Sequence, residues 1–78
     1  MTDTPAPFLD TKGLLCPLPI RKTRKALKAL APGEVLTVEA TDPSAVGDMK
    51  AFCVATGHKL MSSTETEGIY IFKIKKAI

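Results

Sequence analysis

Cys16 is set apart by its neighbours: it stands in the stretch "GLLCPLPIRKTRK", with Pro17 directly after it and Pro19 two residues further on. A thiol can act as a nucleophile, a metal ligand, a disulfide partner or a carrier of extra sulfur, and its company decides which. Cys53, the second of two cysteines, lies far along the chain, and His58 is the single histidine. No Cys-X-X-Cys occurs, and His58 cannot complete a tetrahedral set with two distant thiols, so neither a metal site nor a dithiol redox pair is expected. A cysteine protease needs a histidine beside its thiol, and His58 belongs to another segment. The remaining chemistries need one sulfur: accepting sulfane sulfur as a persulfide, forming a mixed disulfide with a partner, or sensing oxidants. In each case the partner supplies the second reactive group, and the chain needs no cofactor of its own.

Two prolines so close together normally break a helix. The first N–H groups of a helix, however, have no intrahelical partner, so prolines there remove nothing the helix uses. On that reading Cys16 is the N-cap, and Pro17 and Pro19 take the first and third helical positions. Both stiffen the mount of the sulfur, although Pro19 disfavours α geometry at Leu18 and makes the opening turn irregular. A helix N-terminus stabilises an anion by roughly 0.3–1 kcal/mol, while Leu14, Leu15 and Leu18 exclude water and push the other way. The expectation is a thiolate of intermediate basicity, with the sign of the shift left open. A cysteine among leucines is often only a small core residue. The proline bracket and the absence of an apolar period at this position favour function.

The elements that must hold this thiol follow from periodicity. Ile20, Thr23, Leu27 and Leu30 recur at helical spacing and share a face with Ala31, while Arg21, Lys22, Lys25 and Lys28 fall opposite. Arg24 sits at the edge of the apolar stripe, where its stem can pack and its head stay wet. Five basic residues and no acid occur between Arg21 and Lys28, which points to docking of acidic partners rather than to solubility alone. A second helix is punctuated by Asp42 as N-cap, Pro43 at the first helical position and Gly57 as the stop. Val46, Met49 and Cys53 line its inner face, flanked by Ala45, Phe52 and Thr56, so Cys53 reads as core. Gly47 marks an expected close approach, and His58 a turn or cap at the helix exit. "FLDTKG" and "EVLTVEA" read as strands, and "KLMSSTE" and "GIYIFKIKK" as a hairpin around "ETEG". The order βαβαββ gives an α/β, two-layer sandwich with a four-stranded mixed sheet and two helices on one face. Residues 1–7 are expected to be a loose tail, and residues 8–78 a single domain.

Composition limits the rest. A chain of 78 residues with 5% aromatic residues must fill one small core mainly with aliphatic side chains. No apolar run approaches the roughly 20 residues of a membrane span. The first ten residues lack a signal-peptide pattern, so the expected location is cytoplasmic. The aromatics are not grouped as stacking residues and no RNP-like motif occurs, which places direct RNA binding second. The leading alternative is therefore a basic binding or regulatory module that contacts RNA or an acidic protein, with Cys16 not catalytic. A single-cysteine redox sensor is a third reading.

"LDTKGLLCPLPIRKTRKAL" followed by "PGEVLTVEATDPSAVGDMKAFCVATGH" resembles the TusA/SirA-like sulfurtransferases over nearly the whole chain. The hallmark is a CPxP motif, here Cys16-Pro17-Leu18-Pro19, with later Asp42-Pro43 and Gly57-His58 pairs in register. The resemblance implies the sandwich already inferred and a persulfide carried on Cys16. It implies a protein sulfur donor, a cysteine desulfurase or rhodanese-like protein, and a protein acceptor. Destinations in the family include tRNA wobble-uridine thiolation, molybdenum cofactor biosynthesis and dissimilatory sulfur oxidation. Arg24, Lys28 and Asp42 match positions associated there with partner docking or activity. Leu18 stands where some members have Glu, and Arg21 where some carry an apolar residue.

Overall fold

Alternation is clearest in Val35-Leu36-Thr37-Val38-Glu39-Ala40, where Leu36, Val38 and Ala40 are buried and the residues between them half-buried. That is the pattern of a strand with one face on a core. The computed structural model describes residues 7–77 and places six elements in it: β1 (Phe8–Thr11), α1 (Leu18–Lys28), β2 (Val35–Ala40), α2 (Ala45–Thr56), β3 (Lys59–Thr66) and β4 (Ile69–Lys75). Of the expected tail, residues 1–6 lie outside the described residues. Pro7 is tied in, its carbonyl accepting the Thr37 N–H at 3.0 Å.

The strands form one sheet in the order β1-β2-β4-β3, with β1 and β2 parallel and β4 antiparallel to both of its neighbours. The second crossover, through α2, therefore skips a position: β3 runs in the direction of β2 but does not pair with it. The composition of the hairpin explains this order. β4 carries Ile69, Tyr70, Ile71, Phe72 and Ile74 and takes the central place, whereas β3 is mostly polar and tolerates the edge. Glu67 and Gly68 both have positive φ, 50° and 81°, as a two-residue type I′ hairpin turn requires. A bulge between Leu60 and Ser62 interrupts the edge strand.

α1 packs on β1 and β2, α2 on β3 and β4, and the helices touch each other. Leu27, Met49, Phe52, Cys53, Phe72 and Ile74 meet in one core, with Ile20 and Leu30 packed at its margin. Thr23 is fully buried, its hydroxyl donating to the Pro19 carbonyl at 2.8 Å. Three local expectations change. α1 stops at Lys28 with Ala29 as its C-cap, so Ala31 lies beyond the helix and is exposed. The inward stripe of α2 is Ala45, Met49, Phe52 and Cys53, which turns Val46, about 100° round from Ala45, into solvent. Nothing stands within 4 Å of where a Cβ on Gly47 would be, so that glycine marks no close approach. Gly57 does end α2, at φ 84°, with its N–H on the Cys53 carbonyl at 2.9 Å.

Candidate functional site

β1 and β2 run side by side in the same direction, and both lead into loops at the same end of the sheet. Crevices at the carboxyl ends of parallel strands are favoured ligand positions in open α/β sheets. The two loops are stitched together here. The Gly13 N–H donates to Thr41 Oγ1 at 2.9 Å, and the Cys16 N–H to Asp42 Oδ2 at 2.8 Å. Asp42 Oδ1 accepts the Ser44 N–H at 3.0 Å. Both expected caps therefore shift. Ser44, not Asp42, precedes α2, and Pro43 lies in the turn before it rather than at the first helical position. Asp42 instead ties the cysteine's backbone to the neighbouring loop.

Cys16 is not the N-cap of α1 either. A turn closed by the Leu18 N–H on the Leu15 carbonyl, at 2.9 Å, comes first. Pro17 then takes the cap position, and Pro19 is the second helical residue, buried against the core. The Cys16–Pro17 peptide bond is cis. The thiol is exposed and free, at the rim of a groove of about 370 Å³ between the helices. Ile20, Ala51, Phe52 and Ala55 give the groove its apolar lining, and Arg24 and Asp48 its two charges. Leu15 and Leu18 do not seal the sulfur. They are themselves exposed, 69% and 44%, and make an apolar rim that a docking protein can cover.

The structure decides the direction of the Cys16 shift. The Asp48 carboxylate, which lines the same groove, favours the protonated thiol and raises it above its ordinary value, helped by partial desolvation and the charge of Asp42. Pro17 and Pro19 have no N–H to oppose this, and that of Cys16 is committed to Asp42. The N–H groups of Cys16 and Ser44 in turn hold the Asp42 carboxyl below its usual range. Asp48 escaped the sequence reading. Its signal is the run Asp48, Ala51, Phe52 and Ala55 at i, i+3, i+4 and i+7, a second face of α2 whose destination only the helix pairing sets.

The five cations of α1 are all exposed but do not converge. Arg24 alone reaches the Cys16 groove, its guanidinium 5.6 Å from the centre of the Phe52 ring. Lys28 lines a neighbouring hollow with Arg24. Lys22 and Lys25 flank a different depression, against Leu9, Ala26 and Ala29. Cys53 is buried in the core, and burial pushes its thiol up. His58 Nδ1 accepts the Ala77 N–H at 3.1 Å, fastening the chain after β4. Among the described residues no His, Cys, Asp and Glu side chains cluster as metal ligands, and no helix is long and apolar enough to cross a membrane.

The family described as Sulfurtransferase TusA matches residues 8–76. A sulfur carrier protein TusA of Allochromatium vinosum is 51% identical over 69 residues, 88% of this chain and 91% of that protein. A sulfur carrier protein TusA of Pseudomonas aeruginosa is 42% identical over 76 residues, 97% of this chain and 96% of that protein. The crystal structure of a SirA-like protein from Desulfitobacterium hafniense superposes with a TM-score of 0.80 at 23% identity, covering 91% of this chain and 97% of that one, which speaks to the fold. With the match running from β1 through β4, this chain belongs to the TusA sulfurtransferase family.

Proposed function

We propose that the protein is a sulfur carrier that holds sulfane sulfur as a persulfide on Cys16 and relays it between proteins. The observation that carries this reading is the placement of Cys16: an exposed thiol within the family's CPxP motif, at the rim of a groove, while Cys53 is buried. The Cys16 Sγ attacks the outer sulfur of a donor persulfide. A new S–S bond forms, the donor's S–S bond breaks, and the donor thiolate leaves with the electron pair. Asp48 favours the protonated form of the idle thiol, and the proton released on attack ends on the leaving thiolate. The reverse exchange gives the sulfur to an acceptor.

The apolar rim of Leu15 and Leu18, with Arg24 and the other α1 cations Arg21, Lys22, Lys25 and Lys28 around it, is the docking surface. Pro17 and Pro19 fix the thiol's approach, and Asp42 anchors the cysteine loop. The donor is a cysteine desulfurase or a rhodanese-like protein in the cytoplasm, and the acceptor belongs to tRNA thiolation, cofactor biosynthesis or sulfur metabolism. The competing reading, a basic module that contacts RNA while Cys16 stands idle, draws on the solvent-facing lysines of α1.

Intact-protein mass spectrometry after incubation with a desulfurase and L-cysteine tests the carrier. One added sulfur atom is expected, lost on reduction, retained in Cys53→Ala and absent in Cys16→Ala. Uptake that survives Cys16→Ala sinks the assignment. Salt-sensitive RNA binding without sulfur uptake supports the competitor.

A further inference from the structure

Beside the Cys16 groove lies a second hollow of about 250 Å³, and the two share Arg24 and Phe52. Arg24, Lys28, Lys76 and His58 line it. Because His58 Nδ1 accepts the Ala77 N–H, the neutral ring carries its proton on Nε2 and keeps a donor free for another group. Lys76 is held in place by its Nζ, which donates to the Leu30 carbonyl at 2.5 Å and to that of Lys28 at 3.5 Å. Among the described residues the only ion pairs are those of Lys12 with Asp10 and Glu39, so Arg24, Lys28 and Lys76 have no carboxylate partner there. A concave site with three unneutralised cations and an aromatic wall attracts an anion.

Its distance from the thiol restricts what that anion belongs to. From Pro17 at the head of α1 to Arg24 the helix advances about 10 Å at 1.5 Å per residue, the reach of about three extended residues. The Cys16 groove is on the scale of a small-ligand pocket, and the cationic hollow that adjoins it is smaller, as a subsite for one group would be. We propose that the cationic hollow is the carboxylate subsite for a short peptidyl persulfide, which lays its sulfane sulfur against Cys16 and its carboxylate against Arg24 and Lys28. This rests on Cys16 as the sulfur-accepting atom and adds a small-molecule route of loading. The reaction balances: Cys16–SH and R–S–SH give Cys16–S–SH and R–SH, the thiol proton ending on the leaving sulfur.

The test compares the rate of sulfur uptake from glutathione persulfide with that from the persulfide of glutathione diethyl ester, followed by intact-protein mass spectrometry. The free acid is expected to load the wild type faster. Arg24→Gln and Lys28→Gln should each lower the ratio of the two rates by about two- to fivefold, the range for an exposed charge pair, while Lys50→Gln on the outside of α2 leaves it unchanged. Titration with S-methylglutathione should shift the backbone amide signals of Thr56 and His58. Equal wild-type rates for the two donors, or no shift, overturns the proposal. If the two α1 variants slow only loading by desulfurase and L-cysteine, the hollow receives a protein's acidic side chain and the small-molecule assignment fails. Loading by desulfurase without discrimination between the small donors overturns this proposal alone. No uptake from any donor overturns the carrier reading as well.

Discussion

Cys16 lies in the loop before α1 and Asp48 in the first turn of α2, yet the carboxylate raises the thiol above its ordinary value. Since Asp48 raises the Cys16 value, Asp48→Asn should move the midpoint of the iodoacetamide alkylation profile to lower pH. Alkylation near neutral pH then accelerates, and an unchanged midpoint would show that the carboxylate does not govern the thiol. Asp42 has the opposite sign. Its folded value is depressed by the N–H groups of Cys16 and Ser44, so the tether is fully present above the ordinary carboxylate range and is lost as pH falls through the depressed value. The Cys16 amide resonance should follow that acid titration in the wild type and lose it in Asp42→Ala. The CPxP motif made Cys16 stand out in the sequence. Asp48 shares a helical face with Ala51, Phe52 and Ala55, but nothing in the sequence says that this face meets Cys16.

Helix punctuation was partly legible. The sequence marks Gly57 as the stop of α2, and the structure gives it φ 84°, a value glycine adopts at little cost. Gly57→Ala is expected to cost about 1–2 kcal/mol, measured as a lower urea midpoint with unchanged slope. The helix starts were each misplaced. A proline fits either just before a helix or within its first turn, and an aspartate can cap its own helix or reach to a neighbour. Here long-range hydrogen bonds between the two loops, Gly13 to Thr41 and Cys16 to Asp42, selected the second option for the aspartate. The strand order likewise followed from a comparison between strands. β4 won the central position over β3 through its greater apolar content.

At the scale of the molecule, one core carries both helices and the sheet, and Phe72 is its largest fully buried side chain. Phe72→Ala should remove about 3–5 kcal/mol, a large part of the 5–15 kcal/mol typical of a domain. Chemical denaturation should show the loss, and alkylation of Cys53 by iodoacetamide in the variant should report the opened core. Cys16 alkylation in the native state should change little, because the sulfur is exposed already. The sequence by itself determined the element types and their order, the family resemblance and the cysteine that a motif sets apart, because each is written in local periodicity or in a contiguous motif. Only the tertiary structure decided which charges meet that cysteine, since pairing α1 with α2 brings Arg24 and Asp48 to its groove from separate segments and carries Lys22 and Lys25 elsewhere. Such convergence depends on distances between elements, and spacing along one chain does not encode those.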